Sequence, residues 1–449
     1  MTGLIAVVGA GKSGLAVAEH AASNGTDVAI YDDSDITFLG KTLEERFPGK
    51  ISWFLGMPGG LEVEDFEKVV VSPGVPLENI PLESFEKRGI EVIGEVEYGF
   101  RNIRGTFIGI TGTNGKSTVT ALTGCILKEG GVKTFTGGNL KEPLTSSIGM
   151  GFDMYVVELS SFQLETVRSF RPKVALLLNL GEDHMDRYRD FSEYAGAKGN
   201  LFKYQEPTDY AVFNADDELT RSYAEMSNGE SLGFSRTKAL GRGAWILGDR
   251  LTIDTGKGRM DLDISKCPLR GNHNRENIAG ASLAAALAGA GEMEIIKGIL
   301  SFPGLPHRME FAGSLKGITF LNDSKGTNVH SLCSALRGLV GEVVLIAGGK
   351  DKGLSFSPAR AVIEEKVHSI VVMGEAAERI ISEVGGNVPF IKASSMEEAV
   401  RIAYKSSPPG GKVLLSPGCS SFDMFRSFED RGDEFKKAVI RLQQSEQEN

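Results

Sequence analysis

Short runs rich in Val and Ile recur along the chain, and longer amphipathic stretches separate them. The clearest runs are Leu4–Val8, Asp27–Tyr31, Lys68–Val71, Thr106–Thr111, Met154–Glu158, Val174–Leu180, Glu342–Ala347, His368–Met373 and Lys412–Ser416. Strands alternating with helices in this way predict parallel sheets covered by helices on both faces, so the expected fold class is α/β. The uncharged stretch from Asn277 to Gly291 is rich in Ala and Gly. It predicts a tightly packed interior helix and falls short of the roughly 20 residues a membrane span needs. No low-complexity tract, heptad run or short repeat interrupts the pattern.

The pattern falls into blocks at 1–93, 94–304 and 305–449. The first closes after the loop Ser72-Pro73-Gly74. The second opens before the strand at 106–111 and runs to the turn Phe302-Pro303-Gly304-Leu305-Pro306. The third ends in a polar tail, Gln443–Asn449, that is expected to fray. At 449 residues the chain exceeds what one hydrophobic core usually serves, which agrees with two to three domains.

Charge narrows the partners. Lys and Arg number 49 against 59 Asp and Glu, a net −10, so the chain offers no overall basic field for a nucleic-acid backbone. A small anionic substrate has to be drawn by local cations. Cys125, Cys267, Cys333 and Cys419 have neither paired nor metal-like spacing, which fits a reducing cytoplasm rather than a disulfide framework. The first apolar run lacks a basic flank and is too short for a signal peptide. The expectation is a cytosolic protein with no membrane contact.

Chemistry concentrates in loops at strand ends. The strand Thr106–Thr111 delivers the chain into Gly112-Thr113-Asn114-Gly115-Lys116-Ser117-Thr118, and the apolar segment Val119–Leu127 leaves it as a helix. Backbone N–H groups of such a turn point at phosphate oxygens, Lys116 can reach the β/γ-phosphates, and Ser117 or Thr118 offers a hydroxyl to Mg²⁺. The full P-loop pattern wants glycine at 110, where Ile110 stands. A second loop, Gly9-Ala10-Gly11-Lys12-Ser13-Gly14, follows the first strand, and Asp32 ends the next one. That pairing suits NAD or FAD, but any diphosphate suits the same helix N-terminus. Glu158 ends an apolar strand, where a carboxylate either coordinates nucleotide-bound Mg²⁺ or simply finishes the strand. The cluster Glu182-Asp183-His184-Met185-Asp186 reads either as divalent-ion ligands or as a solvated acidic turn.

Taken in order, the segments resemble the Mur ligase family of peptidoglycan synthesis, and in particular its D-glutamate-adding branch. They are VSPG (71–74), TGTNGKST (111–118), GGN (137–139), ELSSFQLE (158–165), EDHMDRY (182–188), GNHNREN (271–277), GLPHRME (304–310), NDSKGTN (322–328) and LSPGCSSFDMFRSFEDRGDEF (415–435). The resemblance implies an N-terminal Rossmann-like domain for the UDP end of a substrate, a central P-loop-type ATPase, and a C-terminal Rossmann-like domain for the amino acid. It implies an ATP-dependent ligase joining D-glutamate to UDP-N-acetylmuramoyl-L-alanine through an acyl phosphate, acting as a monomer with two Mg²⁺ ions and a carbamylated lysine.

The resemblance also implies roles. Gly11, Lys12, Ser13, Asp32, Ser72 and Gly74 would hold the UDP portion, with Asn139 and Ser160 on the substrate. Ser117 and Glu158 would hold one Mg²⁺; His184 and Lys198, as its carbamate, the other. Lys198 taken by its sequence alone is a helical surface lysine. The loop Gly112–Thr118 would cradle ATP, Asn277 would meet adenine, and Arg308 and Asp323 would contact the nucleotide. Lys325, Thr327, Lys352, Ser421 and Phe422 would receive D-glutamate. Lys350, two residues from Lys352, is the competing cation.

Overall fold

In the computed structural model, which describes residues 3–33, 37–56, 66–140, 142–185, 187–269, 271–351, 353, 355–384, 386 and 388–447, the apolar runs become strands of three sheets. The chain divides into two compact units, one up to Pro303 and one from Gly304.

The first sheet holds β1 (Leu4–Val8), β2 (Asp27–Asp32), β3 (Ile51–Leu55), β4 (Phe66–Val71) and β5 (Glu91–Gly94). All neighbours are parallel, in the order β3-β2-β1-β4-β5. The order reverses between β1 and β4, and in such sheets the crevice beyond those two strand ends is where ligands bind. The helix Lys12–Ser23 packs close to the sheet because its buried face is small: Gly14, Val17, Ala18, Ala21 and Ala22. A Cβ on Gly14 would lie 1.9 Å from the Gly9 carbonyl oxygen, so only glycine allows this approach.

The second sheet lies in the same unit. It contains β6 (Thr106–Thr111), β7 (Thr134–Gly138), β8 (Met154–Glu158), β9 (Val174–Leu177), β10 (Tyr210–Asn214), β11 (Glu230–Ser235), β12 (Gly243–Leu247), β13 (Arg250–Asp254) and β14 (Arg259–Asp263). The order is β14-β13-β12-β11-β10-β9-β6-β8-β7. It is parallel from β7 to β12 and turns antiparallel at β13 and β14. The Ala-rich stretch forms the helix Asn272–Leu287, buried from Asn277 to Ala285 as its composition predicts.

The helix Glu95–Asn102 ties the two sheets. Its buried Glu97 accepts the backbone N–H groups of Arg168, Ser169 and Phe170, each at 3.0 Å, and pairs with Arg101 at 2.7 Å. Burial pushes this carboxyl up, but the bonds from Ser169, Arg168 and Arg101 outweigh it and hold the group below the usual range.

The second unit carries β15 (Glu310–Leu315), β16 (Ile318–Asn322), β17 (Val343–Gly348), β18 (Val367–Met373), β19 (Phe390–Lys392) and β20 (Lys412–Leu415). Their order is β15-β16-β20-β17-β18-β19, antiparallel only between β15 and β16. Parallel-rich sheets with helices between strands give the α/β class the pattern predicts.

Candidate functional site

At the end of β1, Gly9 adopts φ +89 and the loop turns into the helix that begins at Lys12. Gly11 and Lys12 are exposed there, and Ser13 is half-buried. Asp32, at the end of β2, accepts the Ala10 backbone N–H at 2.6 Å, so this carboxylate braces the loop itself. Ser72 follows β4 and donates its hydroxyl to the Gly9 carbonyl at 2.7 Å, while Gly74 lies exposed in the next turn. The loop after β1 and the loop after β4 therefore form one wall, at the crevice the strand order defines.

The central loop is held more tightly. Gly112 adopts φ +149 and Gly115 φ +85, and Gly115 starts the helix Lys116–Glu129. A Cβ at Gly115 would meet Asn277 Oδ1 at 2.4 Å, which puts the asparagine expected at adenine directly against the loop. Lys116 curls back, its ammonium donating to the Gly112 and Thr113 carbonyls at 2.8 Å each. Ser117 and Thr118 are buried in the first helical turn. The backbone of Asn114 is gripped from both sides by Asn179, which accepts its N–H at 2.8 Å and donates to its carbonyl at 3.1 Å. The Thr113 hydroxyl meets Tyr194 OH at 3.0 Å.

Glu158 ends β8, next to β6, as the sequence places it. One carboxylate oxygen accepts from the Asn139 side chain at 2.8 Å, which unites two expected site residues. The other is buried and has no hydrogen-bond partner. An orphaned buried oxygen of this kind suits a cation. Among the described residues no three His, Cys, Asp or Glu side chains gather as a metal centre. A Mg²⁺ ion fits such a sparse set, because it takes one or two carboxylates and fills its remaining positions with phosphate and water oxygens.

Lys198 lies in the helix Phe191–Gly199 and is buried at 2% exposure, so the surface lysine that its sequence alone suggests is corrected. Its amine donates to the Gly112 carbonyl at 3.0 Å. Burial first, and the Lys116 charge second, push the amine well below the ordinary lysine range, against Asp183 and Glu158. That puts Lys116, Lys198, Asp183 and Glu158 within electrostatic reach of one another. His184 has φ +55 and lies exposed, with its ring 4.8 Å from that of Phe162. Asp186 lies outside the described residues. Ser160 caps the helix Ser161–Glu165, its hydroxyl accepting from the Gln163 N–H.

In the second unit Asp323 follows β16 and is buried. Burial pushes its carboxyl up to about 6, against the Ser416 hydroxyl, the Arg308 charge and the Met309 N–H. Arg308 sits between His307 and Met309, both at positive φ, and its Nε is buried without a partner. Lys325 holds its ammonium 5.9 Å from the centre of the Phe428 ring, and the Thr327 N–H donates to the Lys325 carbonyl at 2.9 Å. Ser421 is buried and Phe422 is 71% exposed. Lys350 pairs with Glu375 at 2.8 Å, and Lys352 lies outside the described residues. Arg431 is 1% exposed and donates to the Ser324 hydroxyl (3.0 Å), the Ser324 carbonyl (2.8 Å) and the Ser420 carbonyl (3.2 Å). It fastens the loop after β16 to the loop after β20. Burial pushes it down to about 10, against the Cys419 and Asp423 charges.

Asn179, Tyr194, Arg187, Phe428 and Arg431 escape a reading of the sequence. Arg187 and Arg431 stand among acidic neighbours, as surface arginines do, and only burial separates them.

A glycine loop between strand and helix, with a carboxylate ending the adjacent strand, is the layout of a P-loop nucleotide site on an α/β scaffold. Comparison with known proteins specifies it. The Mur ligase MurD-like N-terminal domain matches residues 3–94, the Mur ligase middle domain 110–285, and the Mur ligase glutamate ligase domain 307–419. The chain belongs to the Mur ligase family. It is 40% identical to the UDP-N-acetylmuramoylalanine--D-glutamate ligase of Solibacter usitatus, over 97% of each chain. It is 42% identical to that of Geobacter sp. strain M21, again over 97% of each. Among solved structures, a pseudomurein peptide ligase type C from Methanothermus fervidus aligns with a TM-score of 0.61 at 17% identity, covering 98% of this chain and 100% of that one. The UDP-N-acetylmuramate-alanine ligase of Thermotoga maritima aligns at 0.57 and 19%, covering 99% and 100%. These two share the fold.

Proposed function

We propose that this chain is an ATP-dependent ligase that joins the L-alanyl carboxylate of UDP-N-acetylmuramoyl-L-alanine to the amine of D-glutamate, in peptidoglycan synthesis. The observation that carries the reading is the convergence on Gly112–Thr118 of a cation (Lys116), an orphaned buried carboxylate oxygen (Glu158) and a buried amine (Lys198). The relatives at about 40% identity over nearly their whole length select the substrates.

A carboxylate is a poor electrophile at neutral pH. In this reading its oxygen attacks the γ-phosphorus of ATP, ADP leaves, and the resulting acyl phosphate carries a good leaving group. The D-glutamate amine then attacks the acyl carbon, and a tetrahedral intermediate loses inorganic phosphate and a proton to give the amide. Bringing a carboxylate to a triphosphate sets like charges together, so positioning and cations do most of the catalytic work. Gly112, Thr113, Asn114 and Gly115 cradle ATP with Ser117 and Thr118, Lys116 neutralises the γ-phosphate, and Asn277 meets adenine. Arg308 and Asp323 serve the nucleotide.

Ser117 and Glu158 hold one Mg²⁺; His184 and carbamylated Lys198 hold a second. When bound, the ions neutralise phosphate charge. A neutral amine is what carbamylation needs: it attacks CO₂, releases a proton and becomes an anionic oxygen ligand. The depressed lysine supports that step. Gly11, Lys12, Ser13, Asp32, Ser72 and Gly74 hold the UDP end, with Asn139 and Ser160 toward the substrate. Lys325, Thr327, Ser421 and Phe422 receive D-glutamate, and Lys352 is the remaining cation of that set. We read the enzyme as a cytoplasmic monomer; no helix among the described residues is long and apolar enough to cross a membrane.

The test is phosphate release. It should require both UDP-N-acetylmuramoyl-L-alanine and D-glutamate. Release with neither, or efficient replacement of D-glutamate by L-lysine or diaminopimelate, would overturn the assignment.

A further inference from the structure

The turn that carries His184 also carries a residue with a different reach. Arg187 closes that turn, its N–H donating to the His184 carbonyl at 3.0 Å. Its guanidinium leaves the second sheet's domain and donates to the Pro73 carbonyl and the Val75 carbonyl, each at 3.2 Å. These belong to the loop after β4, whose Ser72 hydroxyl bonds Gly9. A Cβ on Gly9 would lie 2.9 Å from Val75 Cγ2, so the Ser72–Val75 loop and the glycine loop at 9–14 are in packing contact. The guanidinium is itself fixed from two further directions. Its carbon sits 4.1 Å from the centre of the Phe162 ring, and it pairs with Glu165 at 3.2 Å. Phe162 stands directly after the Ser160-Ser161 turn, and its ring also meets His184.

We propose that Arg187 is a positioning residue that sets the separation between the diphosphate-binding loop and the phosphoryl-transfer centre. The inference rests on the reading above that Gly9–Gly14 holds the UDP end while Gly112–Thr118 holds ATP. The UDP portion is remote from the carboxylate that reacts. Its binding raises the rate only if the two loops keep a fixed register, so that remote binding places the carboxylate at the γ-phosphate. Arg187 supplies that register by capping two carbonyls of one loop from a turn that belongs to the other site. A lysine keeps the cation against Phe162 but lacks the planar fork that meets two carbonyls and a carboxylate together.

The decisive comparison uses Arg187→Ala and Arg187→Lys with two substrates: the UDP-linked muramoyl-alanine, and the same molecule carrying only a 1-phosphate. With the UDP-linked substrate, kcat of R187A should fall by about 30- to 100-fold, while the KM for ATP and the affinity for UDP alone, measured by calorimetry, stay within about twofold. With the 1-phosphate substrate, wild type and variant should differ by less than about threefold, because the uridine and one phosphate of the remote anchor are gone. R187K should fold normally and give the same pattern at an intermediate size. An equal penalty on both substrates, a loss of UDP affinity in step with kcat, or an unchanged kcat overturns the proposal. Failure of the wild type to bind UDP would instead overturn the functional reading on which it rests.

Discussion

Replacing Glu158 with Gln should make the free protein more stable and the enzyme nearly inactive. One oxygen of Glu158 accepts from Asn139, and the glutamine carbonyl keeps that bond. The other is buried without a partner, and an unmade hydrogen bond of this kind costs about 1–3 kcal/mol, more when the group is charged. The glutamine NH₂ is unpartnered as well, but neutral, so only part of the cost is recovered: about 1 kcal/mol. For a domain of this size that is a rise of about 2–4 °C in Tm in EDTA. With Mg²⁺ and a non-hydrolysable ATP analogue at about 100 times their Kd, the wild type gains about 2.7 kcal/mol from binding and the variant gains little, so the order of the two melting curves reverses. Turnover should fall at least about a hundredfold. Calorimetric melting in the two buffers and phosphate release give the three readings. A variant that melts below wild type in EDTA, or that turns over within about tenfold of it, refutes the argument.

Lys198→Ala should abolish turnover, and short carboxylic acids should restore part of it by replacing the carbamate; no rescue at high acid concentration counts against the carbamate. Glu97→Ala strands three backbone N–H groups beneath the helix Glu95–Asn102, at about 1 kcal/mol or more each, so urea unfolding should show a loss of about 3 kcal/mol or more, and an unchanged midpoint refutes it. Asp323 is raised to about 6 from 3.8, so the folded state binds its proton more tightly than the unfolded chain. Its contribution is fully present below about pH 4 and is lost as the pH rises through 6, roughly 3 kcal/mol in all. Asp323→Asn should flatten stability over that window, as urea melts between pH 4 and 7 would show.

Nine strands (β1, β2, β4, β6, β8, β9, β17, β18 and β20) and the two glycine loops are legible in the sequence, because buried parallel strands are nearly continuous apolar runs and phosphate loops need glycine at fixed places. Among the strands it leaves unnamed are the edge strand β3, whose residues alternate between half-buried and exposed, and the antiparallel strands β13–β16. The run Val174–Leu180 ends as strand at Leu177, because the Asn179 carbonyl accepts the Thr113 N–H instead of continuing a ladder. Asp32 is placed correctly by its spacing, yet its bond to Ala10 follows from the loop's shape. Lys198 shows the limit best. Among Gly and Ala neighbours its charge implies solvent, and only the path of its helix beneath Gly112 makes it a buried amine.

Arg431 bears on how amino-acid preference could change in such an enzyme. One guanidinium, buried among neutral acceptors, clasps the segment at Ser324 to the segment at Ser420. The two segments cannot drift independently, so a transplant of either alone from a ligase of different preference would arrive without its counterpart. A chimera that exchanges both segments together with the start of the helix Phe428–Gln447 carries the clasp intact.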